Sequence, residues 1–169
     1  LVPLYLVLAA VSIVLGVMQM TSGAGILYPY RTTDPGIVVG PRDLAYVAYT
    51  SGSMGKPKGV MGTHDSLTHY SSWLKETLGV SESDRFSMLS GLAHDPLLRD
   101  IFTPLSLGAA LCIPGQELFD LAGKLAWWMR EEKITIANLT PAMGQFILAA
   151  RTGDAGLKLA DLRYAFFVG

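Results

Sequence analysis

The chain has 169 residues, 13 basic and 14 acidic side chains, a formal net charge of −1 and a single cysteine, Cys112. A charge this close to zero excludes the gathering of nucleic acid as its main task, because phosphate neutralisation needs clustered Lys and Arg; the lone cysteine excludes an internal disulfide. Hydrophobic residues at 50% against 16% charged exclude disorder, since ordinary chains carry about 25% charge.

In chain order, the first charged residue is Arg31, and residues 1–20 are apolar apart from Tyr5, Ser12 and Gln19. About 20 such residues suffice to cross a bilayer as a helix. Yet no Lys, Arg or Trp anchors either flank, and no basic stretch precedes the run as in a signal peptide. A helix buried in an α/β core is therefore preferred, with a membrane span as the alternative. Gly23 and Gly25 then turn the chain into a short strand at Ile26-Leu27-Tyr28. The segment 31–41, rich in Pro and Gly, is expected to run loop, short strand at Ile37-Val38-Val39, loop. Residues 1–43 are thus an apolar N-terminal segment with a linker, and 44–169 form a separate unit.

Residues 44–49 alternate as a strand, and residues 50–59 form a polar, Gly-rich loop. A helix follows over residues 64–78, with Asp65 or Ser66 able to cap it and Leu67, Tyr70, Leu74 and Leu78 at helical spacing. Strands are expected over 86–89, 109–113, 134–139 and 164–168, alternating with helices over 94–107, 118–132 and 141–150. Pro96 lies in a first helical turn, where its missing N–H costs nothing. This alternation implies an α/β fold with a mostly parallel sheet flanked by helices. Trp73, Trp127 and Trp128 are expected in the core, Cys112 as an inert thiol, and His64 and His69 in surface or capping roles.

Chemistry is concentrated in Tyr49-Thr50-Ser51-Gly52-Ser53-Met54-Gly55-Lys56-Pro57-Lys58-Gly59-Val60. Glycines let backbone N–H groups approach an anion, successive N–H groups form a concave nest, and hydroxyls and lysines add donors and charge. A polyphosphate clamp follows; the bland alternative is a solvated turn. The Walker A pattern is excluded because Pro57 follows Gly55-Lys56, and Gly52-Ser53-Met54 breaks the dinucleotide fingerprint. Farther on, His94-Asp95 stands close to Arg99-Asp100. This could be a base with its orienter, or Asp95 capping a helix beside a surface pair of Arg99 and Asp100. No Ser-x-Gly elbow or suitable Cys supplies a nucleophile, which argues against a hydrolase.

The loop resembles the phosphate loop of the adenylate-forming, or AMP-binding, enzymes, whose pattern runs Tyr-Thr-Ser-Gly-Ser/Thr-Thr-Gly-x-Pro-Lys-Gly-Val. Every position matches except Met54, where the family usually has Thr. The resemblance implies that Thr50, Ser51, Gly52, Ser53, Gly55, Lys56 and Gly59 hold the phosphates of ATP, and that Lys58 steadies the departing pyrophosphate. The segment around His94-Asp95 is similar to that of amino acid adenylation domains, where the Asp pairs with the substrate's α-ammonium and the residue before it gates the carboxylate site. Together with residues 138–145 (NLTPAMGQ) and 165–169 (AFFVG), it resembles the adenylation domains of fungal α-aminoadipate reductases. His94 is then a catalytic-site residue, and Asp95, Pro96, Arg99, Asn138, Phe166 and Val168 bind substrate; Asn138 stands where those reductases have His. Arg99, one helical turn after Asp95, can grip a carboxylate with two parallel hydrogen bonds.

The implied function is ATP-dependent activation of an amino acid carboxylate, that of L-2-aminoadipate, to acyl-AMP and pyrophosphate, as part of a reductase of lysine biosynthesis. ATP and Mg2+ are the implied cofactors, with no metal ligand in this chain. The usual magnesium-binding carboxylate lies in a Tyr-Gly-Pro-Thr-Glu-like segment beyond Gly169. Phosphopantetheine and NADPH would serve the carrier and reductase domains of a longer parent. Residues 44–169 are accordingly expected to be a partial AMP-binding adenylation domain, and the chain a cytoplasmic fragment inactive by itself. Its expected partners are the amino acid, ATP and the parent's other domains, with no nucleic acid. The alternatives are a peptide synthetase-like adenylation fragment for another amino acid, and a membrane-tethered, non-catalytic nucleotide-binding fragment.

Overall fold

The computed structural model describes residues 36–50, 56–91, 96–115, 118, 123–153 and 157–167. The apolar segment 1–20, the strand expected at 26–28, residues 51–55 of the glycine loop, His94, Asp95 and Val168 lie outside them. Within them, LAYVAYT, rich in aromatic and β-branched residues, forms β1 (Leu44–Thr50), as such residues favour a pleated strand. β2 (Lys58–Thr63) returns antiparallel to it, pairing Leu44 with Thr63 at one end and Thr50 with Lys58 at the other. This hairpin corrects the expectation that residues 50–59 form one loop leading to a helix. KGVMGT carries two glycines and a lysine, poor strand formers, so its extended form comes from pairing with β1 rather than from propensity. Gly62 is required there, for a Cβ would overlap the Tyr46 ring. Gly62→Val is expected to lower stability by about 1–3 kcal/mol, read from the midpoint of a urea transition; an unshifted midpoint would mean that the ring is not held across β2.

α1 (His64–Leu78) has the boundaries its periodicity implies. Its start is fixed from outside: the His64 N–H donates to the Asp43 carbonyl at 3.3 Å and the Asp65 N–H to that of Pro41 at 2.9 Å. The N-cap residue Thr63 makes no side-chain cap bond, and the Ser66 hydroxyl donates to the Thr63 carbonyl. Neither Asp65 nor Ser66 therefore caps the helix as expected. The helix ends at Gly79, whose φ of 60° is left-handed, a conformation glycine adopts without strain. Residues 36–40 form no strand. Ile37 and Val38 are 72% and 94% exposed, and among the described residues no strand pairs with the β-branched triplet.

β3 (Arg85–Ser87), β4 (Ala110–Cys112), β5 (Ile136–Leu139) and β6 (Tyr164–Phe167) make a parallel sheet in the order β4-β3-β5-β6. α2 (Pro96–Leu107), α3 (Lys124–Glu131) and α4 (Pro141–Gly153) connect successive strands. The α/β architecture with flanking helices is the one expected, with the antiparallel hairpin as a separate two-stranded unit. All four residues of β5 are buried, as a central parallel strand covered on both faces must be. Ile136 packs with Leu74, Val80 and Phe86 on the α1 face; Ala137 and Leu139 pack with Leu125, Met129 and Ile147 on the other. Trp73 and Trp127 are 42% and 41% exposed, against the expectation of core positions; Trp127 instead lies under the Arg130 guanidinium. Among the described residues no helix is long and apolar enough to cross a membrane.

The amino end of the sheet is tied by Asp84, whose side chain is 1% exposed. It accepts hydrogen bonds from the Ser81 N–H, the Thr135 hydroxyl and the Arg163 guanidinium, at 2.9, 2.7 and 2.8 Å. Burial alone would push its pKa up, but these bonds and the guanidinium charge outweigh burial and hold it below the ordinary 3.8. A depressed folded pKa contributes stability that is present above the unfolded value and is lost as pH falls through the folded one. Acid unfolding is therefore expected to steepen below pH 3.8, and Asp84→Asn to flatten that limb in melting curves taken across the range. An unchanged limb would mean that other carboxylates govern it.

Candidate active site

Two places carry the residues singled out in the sequence: the loop end of the hairpin and the carboxyl end of the parallel sheet. Ligands of open α/β sheets bind beyond the carboxyl ends of the strands. At the hairpin, Thr50 and Lys58 are direct register partners, so both ends of the glycine loop are held one strand spacing apart. Lys56 and Lys58 are exposed. Gly59 is also exposed and lies opposite Tyr49; a Cβ there would come within 3.1 Å of the Val47 Cγ1. Lys58 thus stands on a strand rather than in a flexible loop. Ser51, Gly52, Ser53 and Gly55 lie outside the described residues.

At the carboxyl end of the sheet, Asn138 and Phe166 are register partners on β5 and β6 and so face the same side. Asn138 is buried, and its Nδ2 donates to Asp100 Oδ1 at 2.6 Å. Asp100 is fully buried, and its Oδ2 accepts from the N–H groups of Leu89 and Ser90 at 3.2 and 3.0 Å. Burial pushes the Asp100 carboxyl up, and these hydrogen bonds offset that only in part. The expected surface pair of Arg99 and Asp100 is therefore corrected: Asp100 is a buried brace joining α2, the end of β3 and β5. The signal was available, since Leu97, Asp100, Ile101 and Pro104 recur at three- and four-residue intervals along one helix face. Asn138 Oδ1 is buried without a partner among the described residues, and Asp100, able only to accept while ionised, turns the amide so that this oxygen faces away from it.

Arg99 points elsewhere. Its guanidinium carbon lies 5.1 Å from the centre of the Tyr70 ring on α1, and among the described residues no carboxylate forms an ion pair with it. It helps to line a cleft of about 410 Å³ between β1, α1 and α2. Pro96 is the first residue of α2 and half-buried. Of the substrate set, the structure brings Asn138 and Phe166 together and links them through Asp100 to α2, while Arg99 faces α1; Asp95 and Val168 fall outside the described residues. His64 opens α1, and His69 is exposed beside the cleft. Cys112 is buried and its thiol is pushed up by burial, so it stays protonated and unreactive. Among the described residues no cluster of three His, Cys, Asp or Glu is arranged to hold a metal.

A parallel sheet preceded by a glycine- and lysine-bearing hairpin is the architecture of an adenylate-forming enzyme. The family model described as AMP-binding enzyme matches residues 12–169, and the chain belongs to that family. It is 50% identical over 139 residues to L-2-aminoadipate reductase of Schizosaccharomyces pombe, a match covering 82% of this chain and 10% of that protein. It is 45% identical over 154 residues to L-2-aminoadipate reductase of Saccharomyces cerevisiae, covering 89% of this chain and 11% of that one. Among solved structures, the AMPPNP-bound form of the nonribosomal peptide synthetase FmoA3 superposes with a TM-score of 0.68 at 32% identity, over 76% of this chain and 14% of that chain. The chain spans about a tenth of the length of the curated relatives it matches.

Proposed function

We propose that residues 44–169 form the part of an adenylation domain that binds ATP phosphates and an amino acid, and that the reaction served is conversion of the 2-aminoadipate carboxylate and ATP to acyl-AMP and pyrophosphate. The observation that carries this is the hairpin register, which sets Lys58 directly opposite Thr50 at the mouth of the glycine loop. In the reaction, a substrate carboxylate oxygen attacks the α-phosphorus of ATP; a new P–O bond forms and the bond to the β-phosphate breaks. Charge builds on the departing pyrophosphate, and donors fixed in advance stabilise it most effectively. Thr50, Ser51, Ser53 and the backbone of Gly52, Gly55 and Gly59 supply those donors, Lys56 adds charge, and Lys58 faces the leaving group. His94 gates the carboxylate, Asp95 pairs with the α-ammonium, and Pro96, Asn138, Phe166 and Val168 line the pocket.

The substrate assignment is supported by two relatives that are L-2-aminoadipate reductases and by Arg99, a cation free of carboxylate partners among the described residues. Mg2+ accompanies ATP, and among the described residues no cluster of three His, Cys, Asp or Glu is arranged to hold it. Phosphopantetheine and NADPH belong to the carrier and reductase domains with which such a segment works, in the cytoplasm. MgATP titrated into the chain and followed by phosphorus NMR is expected to bind, with Lys58→Ala weakening it about tenfold, the equivalent of 1.4 kcal/mol. A folded chain that leaves the phosphate resonances unmoved would overturn the proposal.

A further inference from the structure

The buried carboxylate of Asp100 occupies a place in the chain that a purely stabilising role does not require. Its Oδ2 accepts the N–H groups of Leu89 and Ser90 at 3.2 and 3.0 Å, so it holds the chain just beyond the end of β3. Asp100 itself stands four residues after Pro96, the first residue of α2. A helical Cα–Cβ bond tilts toward the helix N-terminus, so the carboxylate reaches back over the turn that Pro96 opens. One side chain thus ties Ser90 to the start of α2, and only residues 91–95 run between the two. His94 and Asp95 are among them. The second oxygen, Oδ1, accepts from Asn138 Nδ2 at 2.6 Å and fixes both ends of that segment against β5. The hydrogen bonds of Asp100 therefore serve the amino acid side of the site, whereas Thr50 and Lys58 are held by the pairing of β1 with β2.

We propose that Asp100 is a positioning residue for the amino acid: by fixing the two ends of residues 91–95 against β5, it sets where the Asp95 carboxylate meets the α-ammonium. This rests on the adenylation reading and adds to it a residue that acts without touching the substrate. Groups that must meet in a fixed geometry lose much of their effect on a displacement of about 1 Å. Binding to the 169-residue chain is measured with 2-aminoadipate and with adipate, the same diacid without the amino group. The parent is expected to prefer 2-aminoadipate, and Asp100→Ala to shrink that preference about tenfold, the order of one hydrogen bond to a charged group, with MgATP binding retained. Asp100→Asn keeps an acceptor oxygen for the Leu89 and Ser90 amides and is expected to restore most of the preference. A general loosening of the fold would weaken both diacids alike. Should Asp100→Ala fail to fold, hydrogen exchange in the parent decides the matter. Coupling is reciprocal, so 2-aminoadipate, unlike adipate, is expected to slow exchange of the Ser90 amide about tenfold relative to the Ser81 amide, which Asp84 holds at the other end of the sheet. An unchanged preference in folded Asp100→Ala, an Asp100→Asn no better than Asp100→Ala, or equal slowing at Ser90 and Ser81 would overturn the inference. If MgATP still binds in those samples, only the role of Asp100 falls; a folded parent that binds neither MgATP nor 2-aminoadipate takes the adenylation reading with it.

Discussion

Asp100→Ala is expected to lower the stability of the chain by at least about 3 kcal/mol, because each buried donor left without a partner costs about 1–3 kcal/mol. Three donors lose their acceptor at once: the Leu89 and Ser90 amides and the Asn138 Nδ2. No water can replace the carboxylate readily, since Asp100 is 0% exposed. Asp100→Asn should fall between, keeping the volume and one acceptor oxygen while setting an NH2 group against a donor. Burial raises the Asp100 pKa above 3.8, so the folded chain keeps this proton in a range where the unfolded chain has released it. Its contribution to stability therefore declines as pH rises through that window, opposite in sign to the Asp84 effect, and Asp100→Asn should remove the decline. Urea denaturation across pH measures both effects; a midpoint for Asp100→Ala equal to that of the parent would show that the brace carries no stability.

Lys58→Ala is expected to reduce adenylate formation at least about 100-fold, the usual cost of deleting one preorganised donor to a developing anion. The assay is amino acid-dependent pyrophosphate exchange in a chimera, with residues 44–169 replacing their counterpart in the S. cerevisiae reductase. The size of the effect follows from placement. Lys58 begins β2 and is paired with Thr50, so its backbone is fixed by the hairpin, and a donor on a rigid element pays little reorganisation at the moment of reaction. Lys56, one residue short of β2's neighbour Pro57, should matter less. A drop smaller than threefold for Lys58→Ala would remove it from the leaving-group site.

What could be foreseen from the residues divides along physical lines. α1 was legible to the residue because apolar side chains recur at helical spacing and Gly79 stops the turn. The parallel strands were legible as apolar runs between helices, though β3, β4 and β5 are shorter than their runs. β2 was not, because its extended form depends on pairing with β1 and on the Tyr46 ring crossing Gly62, neither of which leaves a local pattern. Ile37-Val38-Val39 erred the other way: among the described residues no strand lies beside them, and strand-forming side chains left unpaired stay irregular. The phosphate loop stood out because anion binding needs glycines, hydroxyls and lysines consecutively. The direction of Arg99 did not, because it is set by the burial of Asp100 against partners that lie 10, 11 and 38 residues away. The adjacency of Asn138 and Phe166 likewise depends on parallel register, which no short motif encodes.

The chimera carrying the unaltered segment offers the most direct measurement, pyrophosphate exchange driven by 2-aminoadipate and compared with norleucine. Exchange with 2-aminoadipate well above that with norleucine is the expected result. A folded chimera that exchanges with neither amino acid, while the yeast protein it was built from does so under the same conditions, would contradict the assignment of this segment to carboxylate activation.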